Sequence, residues 1–145
     1  MLDDAIQELK RADHSLYISL KYTRTVDVMK STIHRLVNTF DNAIIHALET
    51  LKSKKRIEEL PLTPISRAET LRKSTRQVEL LDFLNFYFFL RSVDKAEYTK
   101  REEYRKHITL IVMHDDNVVE ITVPDLDAYY RKTKEFVLYI KKNYK

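Results

Sequence analysis

Arg101 and His107 stand with five residues between them in the stretch TKREEYRKHITLIV, Thr99 to Val112. The two side chains make a chemically useful pair. An imidazole takes and gives a proton near neutral pH, and a guanidinium holds a charged phosphate in a fixed fork. The same stretch also fits a structural pattern. Thr99 followed by Glu102 forms a capping box for a short helical turn, whose charges face water before a strand opens at Ile108. Tyr98 and Tyr104 then pack at the edge of the core.

Other chemistries find less material. The chain has 145 residues, none of them Gly or Cys. Without Gly there is no phosphate-cradling loop of the Walker or dinucleotide-binding kind, and no strand–turn–helix nucleophile elbow. Without Cys there is no disulfide, no thiolate metal site and no cysteine nucleophile, a composition that fits a reducing cytoplasm. His14, His34, His46, His107 and His114 show no tight ligand spacing, and Asp115–Asp116–Asn117 reads as a turn rather than a calcium loop. Glu58/Glu59 and Glu102/Glu103 lie in charged stretches and read as solvated surface. No metal and no cofactor are expected. A Ser–His–Asp grouping assembled by the fold stays open.

Charge is modest in total, at +4, and uneven in placement. Residues 52–76 carry eight Lys/Arg against three Glu, and residues 131–145 carry six against one. Such segments attract nucleic acid or an acidic protein. They also solubilise a loop and complement a helix C-terminus. No aromatic stacking pattern is read among the charges of these segments. Lys52, Lys54, Lys55, Arg56, Arg72, Lys73 and Arg76 are the nucleic-acid-binding candidates.

These side chains need elements to position them. At 145 residues, with 43% hydrophobic and 33% charged content, the chain suits one globular domain that buries about two thirds of its unfolded surface. Leu2, Ile6, Leu9, Leu16 and Leu20 predict a first helix over 3–22, with Asp13 interrupting the stripe. Thr25 caps a second over 26–53, where Met29, Ile33, Leu36, Phe40, Ile44, Ala47 and Leu51 step by three or four throughout. A third starts near Ser66, with Ser66 and Glu69 as a capping box, pauses at KST and resumes through QVELLDFLNFYFFLRSV. That run is apolar nearly all round, so it is expected to be both the central buried helix and a face shared with a second copy, through Phe83, Phe86, Tyr87 and Phe89. ITLIVM and VVEITV predict a β-hairpin, Ile108–Met113 against Val118–Val123, with a four-residue loop. Asp125 then caps a last helix over 125–143. The expected architecture is mainly α: a four- to five-helix bundle with long antiparallel helices and a small hairpin (about 107–123) before the C-terminal helix. The N-terminus is acidic and amphipathic, unlike a signal peptide. No segment approaches the roughly 18 apolar residues a membrane helix needs, so a soluble cytoplasmic protein is expected. High Lys, Arg and Glu content without Cys or Gly has a thermophile-like cast.

The Arg101–His107 spacing, the segment FLRSVDKAEY (Phe89 to Tyr98) and the closing AYYRKTKEFVLYIKK resemble the HEPN superfamily of small helical domains. That resemblance implies a dimeric bundle with two long antiparallel helices. In active members an arginine–histidine pair cleaves RNA without metal, which would fall to Arg101 and His107. A second alignment gives the arginine slot to Arg91 and puts Glu97 or Tyr98 near the histidine slot, implying an inactive relative. Together these features favour a non-catalytic interaction module, a homodimer that binds RNA or an acidic protein through 52–76 and 131–145. A ribonuclease, or a structural subunit of a larger assembly, are the alternatives.

Overall fold

The stripe from Met29 to Leu51 does what its spacing demands. Each of its seven residues is at most 5% exposed, and together they form the buried face of α3 (Val26–Ser53). The computed structural model describes residues 2–145, and α3 is the spine around which they fold. Thr25 caps its start, its hydroxyl accepting from Val28 N at 3.3 Å, and the Glu103 carboxylate takes the Val26 N–H at 3.0 Å. Its end closes without glycine. Arg56 N donates to Leu51 O and Lys55 N to Lys52 O, both at 2.9 Å, with Lys55 in the left-handed region at φ 60°. This is the double-bonded helix stop that glycine usually serves.

Ahead of α3 runs one rod made of three parts: α1 (Leu2–His14), a π-helical turn (Ser15–Ser19) and α2 (Leu20–Tyr22). The wider π turn takes up an extra residue and brings Leu20 back onto the face of Ala5, Leu9, Ala12 and Leu16, all of them buried. Glu8 meets Arg35 and Asn38, and Ser15 meets Thr32 at 2.8 Å, so the rod lies antiparallel to α3. Glu8 is only 8% exposed. Burial pushes its pKa up, but hydrogen bonds from Arg11, Asn38 and Arg35 outweigh this and hold it below 4.5.

The third predicted helix is two helices, α4 (Pro64–Lys73) and α5 (Val78–Lys95). The start of α4 differs from expectation. Thr63, not Ser66, is the cap, because Pro64 presets the first helical φ and the Thr63 hydroxyl reaches Ser66 N at 3.2 Å. α5 runs antiparallel to α3, with Asp94 near Lys30 and Tyr87 near Asp41. The final helix, α6 (Val123–Asn143), also starts earlier than expected. Thr122 is the cap and Asp125 its reciprocal partner three residues on.

The phenylalanine-rich α5 is enclosed by its own chain. Phe83 is 5% exposed and Tyr87 is fully buried, while Phe86 and Phe89 are half-buried. Phe40 of α3 stacks on Phe136 of α6 with ring centroids 4.4 Å apart; Phe83 lies 5.4 Å from Phe136, and Tyr87 lies 5.5 Å from Phe40. Tyr129 covers both Phe86 and Phe89. The Tyr87 hydroxyl donates to Asp41, whose other oxygen faces Arg91 at 3.5 Å, so the phenol and the carboxylate of this core layer have partners. Of the four residues expected at a dimer interface, Phe83 and Tyr87 are therefore core residues, and Phe86 and Phe89 keep some open surface.

Three strands form the sheet, not two. β1 (Tyr98–Arg101), β2 (Thr109–His114) and β3 (Asn117–Thr122) are antiparallel in that order. The hairpin register is the expected one, with Met113 opposite Val118. Pairing continues to His114 and Asn117, however, leaving a two-residue turn. Asp115 and Asp116 both take positive φ, 49° and 63°, the conformation such hairpins require. The helical turn expected from Thr99 and Glu102 is replaced by β1, which claims the free edge of β2. Glu102, at φ 55°, ends that strand and turns Glu103 toward the start of α3. No helix among the described residues is long and apolar enough to cross a membrane.

Two outcomes follow for stability. Phe40→Ala removes a ring that touches α5 and α6 together, and a denaturant melt should record a loss of about 3–5 kcal/mol. For Glu8, the lowered folded pKa means a contribution fully present above pH 4.5 and lost as acid protonates it in the folded state. Glu8→Gln should lower stability at pH 7 by about 1–3 kcal/mol and shrink the difference between melts at pH 7 and pH 4.

Candidate nucleic-acid interface

Helix direction decides where the charges go. Phe40 pairs with Phe136, and six residues further along α3 His46 Nε2 donates to the carbonyl of Tyr144 at 2.9 Å, eight residues further along the chain. α6 is therefore parallel to α3, and both end at the same end of the bundle. α4 ends there and α5 begins there. The two basic segments, far apart in sequence, meet.

Between them opens a cleft of about 790 Å³. The end of α3 contributes Thr50, Leu51, Lys54 and Arg56; the α4–α5 link contributes Ser74, Thr75 and Gln77, and Glu79 follows from α5. From α6 come Glu135, Leu138, Tyr139 and Lys142, with Asn143 and Tyr144 at its end. Lys52, Lys55, Lys73 and Arg76 are exposed and each is next in sequence to a residue that lines it. Among the described residues none of Lys52, Lys54, Lys55, Arg56, Lys73, Arg76, Lys141 or Lys142 makes an ion pair. Arg72 differs: it is held by Glu69 at 2.5 Å and lies 5.9 Å from the Phe88 ring. In the second segment Arg131 pairs with Asp127 and Lys132 with Asp82, both at 2.8 Å, so among the described residues its unpaired charge is Lys134 and the lysines at the far end of α6.

Part of this charge answers the helices themselves. Three C-termini and one N-terminus amount to roughly one negative charge, at about half a charge each. Residues 49–79 and 135–145 hold eleven Lys/Arg against six Glu. A clear positive excess remains.

Tyr139 and Tyr144 were not legible as site residues. Their cationic neighbours Lys54 and Arg56 come from more than eighty positions upstream, and only the parallel seating of α6 brings them together. A weak signal did exist: Glu135, Tyr139 and Lys142 fall at i, i+4, i+7 and so share a helix face. Burial raises the pKa of both tyrosines, with Glu79 adding to the effect at Tyr139 and Tyr139 at Tyr144, so both present neutral phenols.

The other candidates lie elsewhere. Arg101 is on β1, its Nη1 2.6 Å from Glu120 Oε1 across the outer face of the sheet. The Glu120 hydrogen bond raises the Arg101 pKa further. His107 is exposed in the β1–β2 connection, its carbonyl accepting from Thr109 Oγ1. Among the described residues the two side chains share no hydrogen-bond or ion-pair partner. Arg91 is a core ligand of Asp41 and Tyr87, with Nε buried and unbonded. In the slot opposite it, Glu97 is exposed and the Tyr98 hydroxyl donates to Asp27.

A Ser–His–Asp grouping does form, where α5 meets the hairpin. Ser92 Oγ lies 2.7 Å from His114 Nδ1, and His114 Nε2 lies 3.4 Å from Asp115. The Asp115 side chain is 86% exposed and orients the ring weakly. Ser92 also sits inside α5, whose amides are spent on the helix, so no paired N–H donors await an oxyanion. The grouping latches the sheet to α5. Among the described residues no cluster of three or more His, Asp or Glu could hold a metal ion. No protein-family model matches the chain, and neither a curated protein nor a solved structure matches it.

Proposed function

We propose that this domain is a non-catalytic interaction module that binds nucleic acid through its basic end. The observation that carries the reading is the meeting of residues 52–76 and 131–145 around one cleft, with Lys54, Arg56 and Lys142 on its walls and, among the described residues, free of carboxylate partners. Unpaired cations on a concave surface hold phosphates and release counterions, which supplies affinity without chemistry. The cleft is complete within one chain, so self-association through Phe86 and Phe89 is not required. An acidic protein would meet the same cations, and competition between the two ligands separates them.

Binding ranks ahead of cleavage because the Arg101 guanidinium is engaged by Glu120. A ribonuclease acting through Arg101 and His107 would need that pair to open and both side chains to reach one phosphate.

Two measurements test these readings. In a mobility-shift or filter assay at 50 mM salt the chain should retain nucleic acid, and log K should fall linearly with log salt. Lys54→Glu, Arg56→Glu and Lys142→Glu together should cut affinity about tenfold or more and flatten the salt slope by about one unit per cation removed. Equal reversals at Lys10, Lys21 and Lys106 should do far less; equal losses from both triples would end the assignment to this cleft. Incubation with RNA in chelator should leave the RNA intact. Metal-independent cleavage that Arg101→Ala and His107→Ala abolish would reinstate the nuclease.

A further inference from the structure

Resting on that reading, we infer that the ligand of the basic end is a single strand of nucleic acid, with bases in the cleft and phosphates along its lysine wall. The volume is the first reason. About 790 Å³ falls in the range that encloses groups the size of small ligands, enough for a base or two. A duplex keeps its base faces stacked on one another and offers a protein its phosphates and groove edges. On this cleft it would touch the rim alone.

Aromatic rings are the second reason. Tyr139 and Tyr144 both line the cleft, and both are neutral. Tyr139 is backed by Phe83 at 5.8 Å, which holds its ring from behind. Tyr144 packs partly buried against the core, and its carbonyl accepts from His46 Nε2. Rings fixed in position beside unpaired cations are the elements of single-strand recognition: the face of any base stacks, and the backbone follows the charge.

The acids are the third reason. Glu79 and Glu135 share the cleft with Lys54, Arg56 and Lys142. A surface meant only for phosphate would exclude them. A cleft for bases uses them, since a carboxylate accepts from the exocyclic amino groups of cytosine and adenine. Like-charge repulsion keeps the phosphates on the Lys54 and Arg56 side.

The test uses the full chain and fluorescence anisotropy with end-labelled 12-nucleotide strands rich in A and C, as RNA and as DNA, each alone and annealed to its complement. At 100 mM salt the single strand should bind at least tenfold tighter than its duplex. Tyr139→Leu with Tyr144→Leu keeps apolar bulk against Phe83, and circular dichroism verifies the fold. The double substitution should weaken single-strand binding about fivefold or more, the low end of what stacking contributes, and leave duplex binding unchanged. Equal affinity for strand and duplex, with the tyrosine variant indifferent and the Lys54/Arg56/Lys142 reversals still disabling, would overturn the strand inference while nucleic-acid binding stands. No binding of either form would overturn both. Displacement of the strand by polyglutamate at equal charge concentration would make an acidic protein the ligand and overturn the strand as well.

Discussion

The stack of Phe40 on Phe136 is the contact from which the remaining arrangement follows. It fixes α6 against α3, and the rings of Phe83, Phe86 and Tyr87 fix α5 against the same pair. The route of the chain then leaves little choice. α5 runs antiparallel to α3 and delivers the chain to the far end, where the three short strands turn it round. α6 returns beside α3 in the same direction. Two long helices with basic tails thus finish together, and the cleft is a by-product of where they stop.

That route also sorts the charge along the molecule. Residues 96–127, which include the sheet, hold eight acids against four bases, and they gather at the end where α3 begins. Glu103 accepts the first amide of α3 there. The opposite end, where α3 and α6 stop, is basic. Both signs oppose the helix dipoles they face, so what stabilises the spine also polarises the domain. Several charged pairs between these ends join neighbouring helices: Arg35 to Glu8, Arg91 to Asp41, Lys132 to Asp82. They hold the helices of the waist to one another, while Lys54, Arg56 and Lys142 stay unpaired at the tip among the described residues.

How much of this could be read from residues depended on how local the cause was. α3 was legible because a single stripe sets its buried face and Thr25 its start. The hairpin register was legible from alternation, since Leu110 and Val112 face inward where Ile111 and Met113 do not. β1 was not. Tyr98–Arg101 is exposed along its whole length, so it carries no alternation and exists only because β2 has a free edge to pair. The all-apolar aspect of α5 was legible in its residues. Neighbours on several sides (α3, α4, α6 and β2) account for it before any second copy is needed. The cleft lay furthest from view. Its basic candidates Lys54 and Arg56 were evident from composition, but Tyr139, Tyr144, Glu79 and Glu135 join them only through a parallel helix packing that no short window encodes.

The π turn at Ser15–Ser19 has a consequence for how the first rod can vary. One residue of α-helix turns the chain by about 100°. Ala5, Glu8, Leu9 and Ala12 face α3 only because the wide turn absorbs a single surplus position, while Leu16 and Leu20 hold the other half of the seam. Deleting one residue of SLYIS would remove the surplus and let the rod continue as ordinary α-helix with both halves still facing α3, whereas adding one would leave a second surplus position and rotate Glu8 away from Arg35 and Asn38. Side chains on the outer face of this rod are free to drift, and its length can shorten by one residue more readily than it can grow.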